Sequence, residues 1–136
     1  MKILINSAHQ RFGGAVQVAV SFLNECKHFK EHEYVVCMGP GISKVINPED
    51  FPSNFTFYPF DFGAVNFVKA FRINRELRKV EKEECPDAVI SHTGPSYFNS
   101  RAPQLIGYNL PIFIYPESPY VKGMSLKTKI KIQCKK

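Results

Sequence analysis

The sequence lacks a cysteine framework. No two of its four cysteines are closer than eleven residues, the nearest pair being Cys26 and Cys37. That spacing excludes a CxxC metal or redox pair, and it does not indicate a disulfide scaffold. Cysteine usage of this kind is typical of a protein kept in a reducing cytoplasm.

Signal-peptide and transmembrane patterns are also missing. The first apolar run covers only residues 3–5 before Asn6, which is too short for the apolar region of a signal peptide. No apolar stretch approaches the ~20 residues of a membrane-spanning helix. We therefore expect a cytoplasmic protein whose contact with a membrane is at most peripheral, at its inner face.

Several catalytic motifs are absent as well. The sequence contains no HExxH, GxSxG, DxD or Cys–His metal pattern. The loop before Gly13 is not a GxGxxG motif, and no Gly-Lys-Ser/Thr of a P-loop follows it. We therefore expect no metal ion and no resident cofactor.

The length of the chain indicates the number of domains, and its net charge indicates the class of partner. The 136 residues, 44% of them hydrophobic, are enough for one globular domain. The net charge of +6 favours anionic partners such as sugar nucleotides, lipid phosphates or an acidic membrane surface. The basic residues are dispersed, apart from a group in the C-terminal tail, and accompany no nucleic-acid motif, so we expect no nucleic-acid partner. The ordinary alternative is that this charge only keeps the protein soluble.

The first part of the chain predicts an anion-binding turn. Residues 3–5 read as a buried strand, residues 6–11 as a polar loop, and an amphipathic helix is predicted over residues 14–28. Between them stand Gly13 and Gly14, which would let a ligand approach the backbone at a helix N-terminus, where N–H groups and the helix dipole attract anions. A tight turn without a ligand is the alternative.

The remaining pattern predicts an α/β fold with a Rossmann-like, doubly wound parallel sheet in the order 3-2-1-4-5. Strands are predicted over residues 34–38, 55–60, 87–91 and 112–115. Helices are predicted over residues 42–46 and 65–84, and a short helix or turn over residues 99–108. In this order the first and fourth strands are neighbours, so His92 and Thr93 should lie near Gly13 and Gly14.

The sequence resembles the N-terminal domain of retaining GT-B glycosyltransferases of the group that includes many lipopolysaccharide and capsule enzymes. The resemblance lies in the opening strand, Gly13-Gly14-Ala15 and the helix that follows. It recurs in PDAVI (residues 86–90), HTGPSY (residues 92–97) and PIFIYP (residues 111–116). It spans about the whole chain, although each motif is only moderately specific.

The resemblance implies the acceptor-side half of an enzyme that transfers a sugar from a nucleoside diphosphate to a glycan or lipid-linked acceptor. Gly13 and Gly14 would approach the donor phosphates, and His92 and Glu117 are candidates for the catalytic residues. Candidates for acceptor or sugar contacts are Arg11, Gln17, Thr93, Gly94 and Tyr97. Enzymes of this group typically need no metal for the leaving diphosphate, which agrees with the missing DxD.

The same resemblance implies that a C-terminal donor-binding domain is missing. Residues 127–136 read as an element cut off in the middle, and we expect the chain alone to be inactive in sugar transfer. Two alternatives stay open: a stand-alone α/β module that binds a nucleotide or phosphorylated ligand without catalysis, and half of a sugar-nucleotide epimerase.

Overall fold

The computed structural model describes residues 1–63, 67–94, 96–108, 115 and 117–125. Five strands form one parallel sheet in the order β3-β2-β1-β4-β5. They are β1 (Lys2–Ser7), β2 (Glu33–Met38), β3 (Phe55–Pro59), β4 (Ala88–Ser91) and β5 (Gln104–Ile106). The α/β class, the Rossmann-like sheet and the predicted strand order are confirmed.

Within the described residues four helices connect or follow these strands, and a 3-10 turn forms at Pro48–Asp50. In the described part of the chain they are α1 (Gly14–Cys26), α2 (Pro40–Ser43), α3 (Phe67–Glu84) and α4 (Pro119–Lys122). The predicted helices over residues 14–28 and 42–46 differ from the observed ones at their ends. The predicted helix over residues 65–84 ends at Glu84 as expected, and residues 65 and 66 lie outside the described residues. Helix α2 begins at Pro40, a residue favoured in the first turn because its missing N–H is not needed there.

Apolar side chains cover both faces of the sheet. On one face Ile5 and Val36 pack with Leu23 of α1 and Ile42 of α2. On the other face the alternate strand residues pack against α3. That second cluster includes Leu4, Val35, Val89, Ile73, Leu77 and Val80. Strands buried on both faces explain why the sequence shows unbroken apolar runs instead of alternation.

The prediction for residues 99–108 is wrong, because the strand that pairs with β4 is Gln104–Ile106. Only three residues long, it begins directly after Pro103 and ends before Gly107, so it carries too little periodicity for a sequence-based assignment. The predicted fifth strand over residues 112–115 lies outside the described residues except for Tyr115, and the predicted cut-off element over residues 127–136 lies outside them entirely.

The buried face of α3 gives a matched test of the packing. Val80 is 5% exposed and Val68 is 79% exposed on the same helix. Val80→Ala should lower the free energy of unfolding by about 2 kcal/mol, since two buried methyl groups are lost and a cavity remains. Val68→Ala should change it by less than about 0.5 kcal/mol. Urea unfolding measures both, and equal losses would contradict this packing.

Candidate functional site

The carboxyl ends of β1 and β4 are adjacent, because the chain moves from β1 towards β3 and then returns through α3 to β4 on the other side. Asn6 pairs with Ser91 in the parallel register. Crevices at such a reversal of strand order are the usual ligand sites of open α/β sheets. The predicted proximity of the loops after these two strands is confirmed.

The N-terminus of α1 at this edge is open. Gly13 is the N-cap residue with a φ of 79°, a conformation that glycine adopts without strain. No side chain in the described part of the chain caps the helix, and its first turn contains no acidic residue. A Cβ built at Gly13 or Gly14 meets no atom within 4 Å among the described residues. Among the described residues, nothing fills the space beside these two glycines, and the helix dipole there favours an anion.

Gln10 links three parts of this edge. Its side-chain Nε2 donates to Thr93 Oγ1 at 2.9 Å, which joins the loop after β1 to the loop after β4. Its backbone oxygen accepts from Gly41 N at 3.1 Å, which adds the segment after β2. Gln10 is only 3% exposed. The sequence did not single it out, because an isolated glutamine in a polar loop gives no signal of burial.

His92 is held beneath the same edge. Its Nδ1 lies 3.1 Å from Ser7 Oγ, and its ring contacts the edge of the Phe22 ring, with centroids 4.6 Å apart. Burial lowers the pKa of His92 to about 4, so the imidazole is neutral at physiological pH. A neutral imidazole offers one donor and one acceptor, and it does not supply a positive charge.

Three buried polar atoms at this edge have no hydrogen-bond partner among the described residues: His9 Nδ1, Gln10 Oε1 and His92 Nε2. A fourth such atom, His32 Nδ1, belongs to the turn before β2. An unsatisfied buried polar group costs about 1–3 kcal/mol. Their concentration in the loops after β1 and β4 is therefore a feature of a site, because native proteins seldom leave such groups unpaired.

Among the other predicted site residues, Arg11 and Gln17 are exposed beside the glycines. Thr93 is 6% exposed and its hydroxyl is engaged by Gln10, which gives it a bridging position. At Gly94 a Cβ would lie 2.8 Å from the Tyr108 ring, so this glycine is required for close packing. These residues share one edge of the sheet, as predicted.

Tyr97 and Glu117 have different surroundings. Tyr97 adopts a φ of 49° and its ring meets that of His9 edge-on, with centroids 5.4 Å apart. Burial raises the pKa of Tyr97 and lowers that of His9. Glu117 is exposed in the turn before α4. Its predicted position after a strand over residues 112–115 stays a prediction, because that segment lies outside the described residues except for Tyr115.

No group of three or more metal-ligating side chains occurs within the described ranges. The same ranges contain no helix that combines the length and apolar character needed to cross a bilayer. No protein-family model, curated protein or solved structure matches this chain.

The buried state of His92 predicts a pH dependence. Its pKa of about 4 is below the ordinary 6.5. Between these values the unfolded chain binds a proton that the folded chain excludes, so stability present above pH 6.5 is lost as the pH falls towards 4. Between pH 7 and 5 the wild type should lose on the order of 1–2 kcal/mol more than His92→Gln.

Urea unfolding of both proteins at the two pH values measures this difference. Equal losses, or an NMR titration of the His92 ring with its midpoint near 6.5, would show that the imidazole is not excluded from protonation in the fold.

Proposed function

We propose that the carboxyl edge of this sheet binds the diphosphate of a nucleoside-diphosphate sugar, and that the chain is the acceptor-side half of a glycosyltransferase. The observation that carries the proposal is the open N-terminus of α1, at the reversal of strand order and beside three unpartnered buried polar atoms. The resemblance of Gly13-Gly14-Ala15 and the later motifs to GT-B enzymes supports sugar transfer as the reaction.

In this proposal the first N–H groups of α1 stabilise the diphosphate, the part of the donor on which negative charge grows as the sugar leaves. The exposed Arg11 side chain adds a cation beside the glycines. His92 stays neutral and helps as a hydrogen-bonding group, while Gln17 and Tyr97 are candidates for contacts to sugar hydroxyls. A second domain would supply the remainder of the donor site.

A binding module without catalysis is the second candidate. One observation favours it: burial lowers the pKa of both histidines at this edge, His9 and His92. Neither therefore supplies a protonated imidazole at neutral pH. Binding of the diphosphate is common to both candidates, whereas sugar transfer belongs to the first alone.

The test of diphosphate binding is a pair of isosteric substitutions at Gly14, where an added side chain meets no described atom. Gly14→Asp places a carboxylate at the helix N-terminus, which suits the helix but repels a phosphate. Gly14→Asn adds the same shape without the charge. Calorimetric titration with UDP and GDP should show affinity weaker by about tenfold or more in the Asp variant than in the Asn variant.

The unphosphorylated nucleosides serve as the control, and their affinities for the Asp and the Asn variant should be equal. Equal affinities of the two variants for the diphosphates would remove the α1 N-terminus from the proposal.

We also propose that the protein works in the cytoplasm and meets the inner face of a membrane. Val68 and Phe71 are 79% and 73% exposed at the start of α3, next to the basic Lys69 and Arg72. Apolar side chains beside basic ones are typical of helices that lie in the interface of an anionic bilayer.

The expected outcome is that vesicles containing phosphatidylglycerol co-sediment the wild type. The double variant Val68→Ser/Phe71→Ser should bind them several-fold less, since it removes the two apolar side chains that would insert into the bilayer interface. Leu105→Ser is the matched control, because Leu105 is 67% exposed on β5, away from α3. If all three proteins sediment alike, α3 is an ordinary solvated helix.

A further inference from the structure

A cavity of about 480 Å³ lies at the opposite, amino edge of the sheet. Its walls come from the last turns of α3, from the turn that enters β4 and from the turn that enters β5. Three of its lining residues are basic: Arg78, Lys82 and Arg101. The volume is in the range of small-molecule sites, roughly 300–1,000 Å³. None of these residues belongs to the carboxyl edge described above.

Among the described lining residues the only carboxylate is Glu81, and it stabilises the fold. Glu81 is 7% exposed, and its Oε1 accepts hydrogen bonds from Ser100 Oγ, from Arg101 N at 2.7 Å and from Ala102 N at 3.2 Å. Burial raises the pKa of this carboxyl, but the hydrogen bonds and the Arg78 charge together hold it below its ordinary value. Glu81 thus anchors the turn that carries Arg101 onto α3.

None of the three basic side chains anchors a described segment in this way: Arg78 acts on Glu81 through its charge, and Lys82 lies in the last turn of α3. Within the described residues none of them forms an ion pair, whereas Arg75 and Lys79 on the same helix both pair with Glu76. Gathering three cations around one cavity raises their mutual repulsion, and a bound anion relieves it. The guanidinium groups of Arg78 and Arg101 are also planar and can each donate two parallel hydrogen bonds to phosphate oxygens.

We propose that this cavity is a second ligand site, which binds the phosphate group of a small phosphorylated molecule between Arg78, Lys82 and Arg101. Backbone hydrogen bonds fix the segments that form this site. Cys85 ends α3 in a left-handed conformation with a φ of 46°, and its N–H donates to Glu81 O at 2.9 Å. This turn and the Glu81 anchor fix two walls of the cavity relative to α3.

The test is an NMR titration of the full 136-residue chain with inorganic phosphate, at constant ionic strength maintained with sodium chloride. The amide signals of Cys85, Arg101 and Ala102 should shift and saturate. Arg78→Gln and Arg101→Gln should each weaken the binding by about tenfold, because each removes a charge-assisted contact. Arg72→Gln is the matched control: it removes one exposed positive charge from the same helix, and Arg72 does not line the cavity.

Two results would overturn the proposal. The first is a shift that grows linearly with phosphate, or none at all. The second is saturable binding that all three variants weaken alike, which would mean that net charge and not this cavity attracts the anion. The spectra of the variants report their folding at the same time. The signals of Gly13 and Gly14 report the carboxyl edge separately, so the two sites fail or succeed independently.

Discussion

Pairing of β1 with β4 is the constraint on which the carboxyl edge depends, and the buried Asn6 side chain fixes it. Asn6 Nδ2 donates to Ser91 Oγ and to the carbonyl oxygen of Ser96, both at 3.1 Å, while its Oδ1 accepts from Ala8 N. A buried amide with these partners specifies one register of β1 against β4, because any other register would leave buried polar groups without hydrogen bonds. It holds the loop before α1 against the loop after β4, which brings Gln10 to Thr93 and Ser7 to His92.

The two edges of the sheet differ in how they handle charge. At the carboxyl edge the buried groups are neutral amides, hydroxyls and imidazoles, and in the proposed diphosphate site the attraction for the anion would come from the N-terminus of α1. In the cavity proposed as a second site at the amino edge, the attraction would come from side-chain charges. At this edge Glu84 accepts from Lys2 Nζ at 3.1 Å and from Tyr58 Oη at 2.6 Å, which ties α3 to β1 and β3. The neighbouring cations that line the cavity have no such ion-pair partner among the described residues.

Strand order and layer arrangement could be predicted from the sequence because buried parallel strands leave long apolar runs, as in residues 34–38. The position of Gly13 and Gly14 at the start of α1 was also predictable, because the strand, the polar loop and the helix that surround them follow one another within residues 3–28. Strand β5 was not, because three residues carry no period and their pairing with β4 is a long-range event. Gln10 was missed since its burial depends on Thr93 and Gly41, which are far away in the sequence.

A diphosphate site at the N-terminus of α1 is tested most directly by mapping the amide signals that change when a nucleoside diphosphate is added to the chain. We predict that the signals of Gly14 and Ala15, whose N–H groups begin α1, shift together with the side-chain signals of Gln10 and His92. Changes confined to other parts of the sheet, or no saturable change at all, would contradict a diphosphate site at the open N-terminus of α1.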